Sequence, residues 1–284
     1  LLVILVFLII PFKSFSINKN IPNTEEELFQ AINNLPWETG PLVYNYNLAN
    51  SKINISGDFS ILRNEDAHQM LFWLNGTEFS YVDMYAMSDI DASQLLFSYT
   101  DSGYVKTDDW TKVDPDKFIK EIRENYKLSN ETRKKNGQPT IMDVTWHKKP
   151  YLDDTFNSVY YALNVKWSNN TSSVEGTAII LGREGYTTAN YVGGDQGYNE
   201  SMLLNLSKMH KFNATKEYKD WKSGDKVAAA GIAALLASTL GVKFLKPGIL
   251  AVVAIFLKKF WFIIFIPFIW LFKVFTGSSK KKKS

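Results

Sequence analysis

The feature that most constrains this chain is a long apolar segment near its C-terminal end. From Val227 to Phe275 apolar residues dominate, and only five Lys interrupt them. One continuous helix would place Lys near the centre of a bilayer, at a cost of about 2.5–3.5 kcal/mol each. We therefore expect the segment to be divided. Residues 227–242 and 260–275 would each form a helix about 24 Å long, which predicts one or two membrane spans.

Small residues recur every four positions in the first of these two stretches. Such a ridge is the surface along which membrane helices approach closely. An Ala-rich helix without a partner would show the same spacing. The sequence predicts a membrane-packing ridge formed by Ala229, Ala233, Ala237 and Gly241.

Charge divides the chain at the same place. All 29 acidic residues precede Lys226, whereas ten Lys lie from Lys226 onward and four of them form the tail Lys280–Lys283. An acidic body argues against nucleic acid as a partner, because phosphate contacts need clustered Lys and Arg. The basic tail marks the cytoplasmic side of a membrane by the positive-inside rule.

The N-terminal end resembles the later part of a secretory signal peptide. Leu1 to Ile10 is apolar, and Ser14-Phe15-Ser16 is a small-x-small triplet typical of a cleavage site. Ten residues rise only about 15 Å, too little to span a bilayer; a buried strand is the alternative. We expect a signal peptide at 1–16, an extracytoplasmic domain at 17–225 and a membrane anchor at 226–284, with the protein at the cell membrane.

Local patterns in the body predict an α+β fold, an antiparallel sheet with packed helices, followed by the C-terminal helical anchor. Thr24 and Glu27 form a capping pattern at a helix start, and Asp114-Pro115 begins the longest helix. Several alternating segments follow one another without regular strand–helix alternation, which favours antiparallel pairing. The clearest such segments lie near residues 95–99, 144–146, 159–167, 178–180 and 189–192.

Several blocks of the body occur together in one known family. They are Tyr99 to Asp109, Asn130 with Arg133, Gly137-x-Pro139, Trp146 before Pro150-Tyr151, Leu181-Gly182-Arg183-x-Gly185, and Tyr218-x-Asp220 followed by Asp225-Lys226. In this the chain resembles the predicted membrane-anchored bacterial proteins of domain of unknown function 2167. Thr107 and Ala230 depart from the family pattern. The resemblance implies a membrane-anchored architecture and no established activity.

The best candidate for ligand or partner contact is the loop after the strand that ends near Tyr99. It carries an aromatic ring, a cation and carboxylates in one short stretch, and loops are where binding residues concentrate. Because the loop has little apolar surface to bury, we expect its side chains to contribute little to folding; the alternative is that Asp101 only stabilises its own turn and Tyr104 packs inward. The candidate residues are Asp101, Ser102, Gly103, Tyr104, Lys106, Asp108 and Asp109. Further motif positions are Asn130, Arg133, Gly137, Trp146, Gly182 and Arg183.

Catalytic patterns are weak by comparison. The chain has three His and no Cys, without a His-Glu-x-x-His motif or a G-x-S-x-G elbow. The acidic residues of the loop lack the spacing of an EF-hand. The sequence therefore indicates neither a metal site nor a cofactor.

Three functional hypotheses remain at this point. The first is a membrane-anchored extracytoplasmic binding or interaction module of the bacterial envelope, with other envelope or membrane proteins as partners. The second is a metal-assisted hydrolase that uses Asp101, Asp108, Asp109 and His147. The third is an accessory or regulatory subunit of a polytopic membrane protein, recognised through the small-residue ridge.

Overall fold

The computed structural model describes residues 17–242, except for residues 77, 136, 195–197 and 200. The expected signal peptide at 1–16, the apolar stretch at 260–275 and the basic tail lie outside the described residues. The described part forms an α+β domain, as the sequence predicts.

The helices begin where local sequence signals place them. The Thr24 side chain accepts a hydrogen bond from the Glu27 N–H, and Asp114 Oδ1 accepts one from the Lys117 N–H at 3.0 Å. Both contacts satisfy donors that a helix leaves unpaired at its first turn. The helices are α1 (Glu25–Asn33), α2 (Asn64–Asn75), α3 (Pro115–Lys135), α4 (Ser201–Met209) and α5 (Ile232–Thr239).

The strands form two antiparallel sheets. Their bounds are β1 (Glu38–Thr39), β2 (Leu42–Tyr46), β3 (Ser51–Ile55), β4 (Phe59–Arg63), β5 (Met84–Ser88), β6 (Gln94–Thr100), β7 (Ile141–Asp153), β8 (Ser158–Trp167), β9 (Ser172–Leu181), β10 (Tyr186–Gly194) and β11 (His210–Phe212). The large sheet has the order β1-β4-β5-β6-β10-β9-β8-β7, and the small sheet has the order β11-β3-β2.

The central strands of the large sheet are covered on both faces, because their alternate residues enter different cores. On β6, Leu95 and Phe97 pack with the small sheet and α4, whereas Leu96 packs with α1 and α2. On β8, Tyr161 packs on α3 and α5. The domain therefore has three layers: helices α1, α2, α3 and α5, the large sheet, and the small sheet with α4.

A line of neighbouring side chains, three of them with polar groups, crosses the helix-covered face of the large sheet. The strand register places Leu96 opposite Asn190, Asn190 opposite Thr177, and Thr177 opposite Tyr161. Because residues directly opposite each other share one face, these side chains lie in line between the core under α1 and α2 and the core under α3 and α5. Asn190, Thr177 and Tyr161 of this line also border the pocket described below.

The segment predicted as the first membrane helix is part of the domain. Only Ile232–Thr239 is helical, and Leu236 and Ala237 pack in the core with α3 and β8. Within the described residues, no helix combines the length and the apolar character that a bilayer crossing needs. The packed domain thus continues past Asp225 to Val242.

The predicted small-residue ridge is likewise not a membrane surface in this structure. Ala233 and Ala237 are fully buried inside the domain, whereas Ala229 is exposed and precedes the helix. Gly241 follows the helix with a positive φ of 68°. The spacing reflects a helix that packs closely on its own domain.

Replacing Ala237 by Leu should therefore destabilise the domain. The added carbons have no space in a packed core, which costs about 1–3 kcal/mol. Ala229→Leu, at an exposed position of the same segment, should change the free energy of unfolding by less than about 0.5 kcal/mol. Chemical denaturation of both variants measures the difference, and equal stabilities would contradict the buried position of α5.

Candidate functional site

Three distant segments meet at the end of the large sheet where β6 ends. They are the loop 101–109, the β9–β10 turn at 182–185, and residues 216–233. The Gly103 N–H donates to the Glu184 carbonyl at 2.8 Å, and the Tyr104 N–H donates to the Lys226 carbonyl at 2.8 Å. The Ala228 N–H returns a bond of 2.9 Å to the Tyr104 carbonyl. The backbone therefore joins the loop to both other segments.

Close approach of these chains requires glycine at position 103. Gly103 has a φ of +86°, a conformation that residues with a Cβ rarely adopt. A Cβ there would lie 2.7 Å from the Lys226 carbonyl oxygen. Gly103 is thus the point at which the loop contacts residue 226.

Three aromatic side chains form the centre of this surface. The Tyr104 ring stacks on Tyr218, with centroids 4.4 Å apart, and on Trp221, with centroids 5.1 Å apart. Tyr218 Oη donates to the Val105 carbonyl at 2.7 Å, which holds the stack against the loop. Trp221 is 36% exposed. We call Tyr104, Tyr218 and Trp221 the aromatic platform.

Paired charges lie beside the aromatic platform. Lys226 Nζ lies 3.1 Å from Asp101 Oδ1, and both side chains are largely exposed. Lys216 Nζ lies 2.6 Å from Glu184 Oε1. Lys106 and Asp108 of the loop are also exposed. The platform is thus bordered by both signs of charge.

Arg183 joins two of the segments through a bidentate ion pair with Asp225. Its Nε and Nη2 donate to the two carboxylate oxygens at 2.7 and 2.8 Å, and its Nη1 donates to the Thr215 carbonyl. The hydrogen bonds from Arg183 lower the pKa of Asp225 to about 2. Both groups are therefore charged at neutral pH, and the guanidinium is used to hold residues 215–225 in place.

The loop contributes to folding more than its sequence suggests. Val105 is 1% exposed and belongs to the core under α3 and α5. The first turn of α5 is satisfied by the loop, since the Ile232 N–H donates to the Lys106 carbonyl and the Ala233 N–H donates to Asp109 Oδ1 at 3.1 Å. The expectation that the loop side chains are dispensable for folding does not hold for Val105 and Asp109.

The carboxylate of Asp109 also explains the glycine before α5. A Cβ on Gly231 would lie 2.6 Å from Asp109 Oδ1. The side chain of Asp109 thus fills the space that a larger residue would need. Glycine at position 231 therefore leaves room for the Asp109 carboxylate that caps α5.

The other motif positions lie away from the aromatic platform and stabilise α3 and its surroundings. Asn130 exchanges two hydrogen bonds of 2.8 Å with the backbone of Ile141. Trp146 Nε1 donates to the Pro115 carbonyl at 3.0 Å. Arg133 lies over the Trp167 ring, 4.8 Å from its centroid, and Gly137 has a φ of +67° in the turn after the helix. These structural contacts explain the presence of all four residues, and no bound ligand is needed to do so.

The residues of the hydrolase hypothesis have separate partners. Asp101 pairs with Lys226, Asp109 caps α5, and His147 Nδ1 lies 2.8 Å from Asn164 Oδ1 on the neighbouring strand. In the described part of the chain, no three His, Asp or Glu side chains are grouped so that they could hold a metal ion.

Two residues of the aromatic platform have no functional signal in the sequence. Tyr218 is only a motif position and Trp221 has no motif, because nothing local indicates that Tyr104, more than a hundred residues earlier, stacks on them. Away from the platform, Glu175 and Asn190 are buried on the large sheet. Their only sequence signal is a polar residue at an inward position of an otherwise apolar strand.

Comparisons with known proteins add a family and a distant structural likeness. The family model of the protein of unknown function DUF2167 matches residues 41–269. No curated protein matches the chain. Among solved structures, the solution structure of cyanobacterial PsbP (CyanoP) from Synechocystis sp. PCC 6803 is similar over 61% of this chain and 92% of that chain, at 12% identity and a TM-score of 0.36.

Asp109 offers a direct test of how the loop supports α5. Asp109→Ala removes a hydrogen bond to the first turn and a negative charge near the positive end of the helix, so the free energy of unfolding should fall by about 1 kcal/mol. Asp108→Ala removes the same charge at an exposed neighbouring position and should change it by less than about 0.5 kcal/mol. Urea denaturation compares the two. Equal effects would mean that the cap contributes nothing.

Proposed function

This chain belongs to the DUF2167 family of proteins of unknown function, and we propose that its described domain is a binding module whose contact surface is the aromatic platform. The observation that carries the proposal is the stack of Tyr104, Tyr218 and Trp221 at the surface, held by backbone bonds between the loop and residues 226–228.

Exposure and rigidity support this role. Trp221 and neighbouring Val227 are 36% and 41% exposed, although apolar side chains of this size gain free energy when they are buried. Trp and Tyr are enriched among the residues that dominate binding energy, because a large ring loses few rotamers on contact. The platform thus combines apolar area with a fixed geometry.

The bordering charges suit recognition of a partner with its own charged surface. Exposed pairs such as Lys226 with Asp101 contribute little to stability. They do affect the orientation and the rate of association, since complementary charges steer encounter and disfavour wrong partners. A protein surface with apolar and charged groups side by side fits this arrangement best.

In the cell, we propose, the module acts outside the cytoplasm at the bacterial cell membrane. Support comes from the sequence: the signal-like residues 1–16, the apolar stretch 260–275 and the tail Lys280–Lys283. The partner would then be another envelope or membrane protein that reaches the aromatic platform.

Site-specific photo-cross-linking in native membranes tests the proposal. A benzophenone amino acid replaces Trp221 in one variant of the full chain and Ile90 in the other. Ile90 is 78% exposed and lies in the turn before β6, at the strand end opposite the platform. We expect a discrete cross-linked product from position 221 and none from position 90.

A second substitution makes the result specific. Adding Lys226→Ala to the Trp221 variant should reduce the product several-fold, because the border charge is lost while the Lys226 backbone bond to Tyr104 remains. Products of equal yield at positions 221 and 90, or none at 221, would contradict the proposed surface.

A further inference from the structure

A pocket lies on the helix-covered face of the large sheet, apart from the aromatic platform. β8, β9 and β10 form its floor, and Thr239 and Leu240 at the C-terminal end of α5 form one wall. The cavity has a volume of about 30 Å³, enough for about two water molecules. Polar side chains from β9, β10 and α5 line it: Glu175, Thr177, Thr188, Asn190 and Thr239.

Asn190 presents a hydrogen-bond donor that the protein leaves unused. The residue is 6% exposed, and its Oδ1 accepts a bond of 2.9 Å from Thr177 Oγ1. Its Nδ2 has no hydrogen-bond partner in the described part of the chain. A buried donor without a partner destabilises the fold, so such groups normally meet a water or a ligand. An acceptor oxygen would satisfy it.

Glu175 supplies a second donor beside it. The residue is 9% exposed, and burial raises the pKa of its carboxyl group to about 8, against the opposite influence of Arg133 on α3. At neutral pH the group is therefore mainly protonated and able to donate. Its other titratable neighbours are Tyr126 of α3 and Tyr161 of β8; burial raises the pKa of both, so they stay neutral.

The guanidinium of Arg133 offsets part of the cost of burying an anion near the pocket. It acts on the Glu175 carboxyl group from α3 and opposes the stronger effect of burial, which disfavours a negative charge there. Donors from Asn190 and Glu175 and a nearby positive charge match a carboxylate, whose two oxygens accept hydrogen bonds.

We propose that this pocket, defined by Glu175, Thr177 and Asn190, binds the carboxylate head group of a small organic acid. One oxygen accepts from Asn190 Nδ2 and the other shares the proton of the Glu175 carboxyl group. When Glu175 ionises, the two carboxylates repel each other. Binding should then weaken as the pH rises.

Acetate and its uncharged analogue acetamide are the probes for this site. Each is titrated into the purified full chain in detergent at pH 6 and pH 9, with side-chain and backbone amide NMR shifts as the readout. We expect acetate to shift the Asn190 side-chain signal and to bind about tenfold more weakly at pH 9, where most Glu175 is ionised. Acetamide should bind much more weakly than acetate at pH 6.

Variants separate the proposed contacts from general effects of acetate. Glu175→Gln keeps a donor and cannot ionise, so acetate binding should persist at both pH values. Asn190→Leu should abolish binding, whereas Asn164→Leu on β8, outside the pocket, should leave it unchanged. If Asn190→Leu does not fold, the pH profile of Glu175→Gln decides. Absence of acetate binding, equal binding of acetamide, or the same pH dependence in Glu175→Gln would overturn the proposal.

Discussion

The position of α5 depends on the backbone pairing between Tyr104 and residues 226–228. Two hydrogen bonds of 2.8 and 2.9 Å connect these segments, which are more than a hundred residues apart in sequence. They place Tyr104 against Tyr218 and Trp221, and they bring Asp109 to the first turn of α5. Without this pairing, the exposed stack and the start of the helix would both lose their support.

Helix α5 connects the two proposed binding regions. Its first turn is capped by Asp109 beside the loop, and its C-terminal end contributes Thr239 and Leu240 to the pocket on the sheet. Between them, Leu236 and Ala237 fill the core over β8. A shift of this helix along its axis would therefore change the loop and the pocket together, because a packed core cannot take up the difference.

Local signals in the sequence predicted local structure well, and contacts between distant residues poorly. Thr24 and Asp114 act as caps because capping depends on neighbours within four residues. The apolar segment 227–242 was misassigned because a core helix and a membrane helix both favour such residues, and composition does not say which surroundings bury them. Stacking of Tyr104 on Trp221 and the placement of Asn190 beside Glu175 depend on strand register and chain crossing, which no local pattern specifies.

Hydrogen exchange of the full chain in detergent tests the central claim most directly, namely that residues 226–242 belong to the folded domain. The informative amides are those of Ala228, Ile232 and Ala233, which donate to the loop. If residues 226–242 belong to the folded domain, these amides exchange as slowly as the amides of β9 and lose protection together with them in denaturant. Exchange as fast as that of the exposed turn at Ser223 and Gly224, while β9 stays protected, would contradict it.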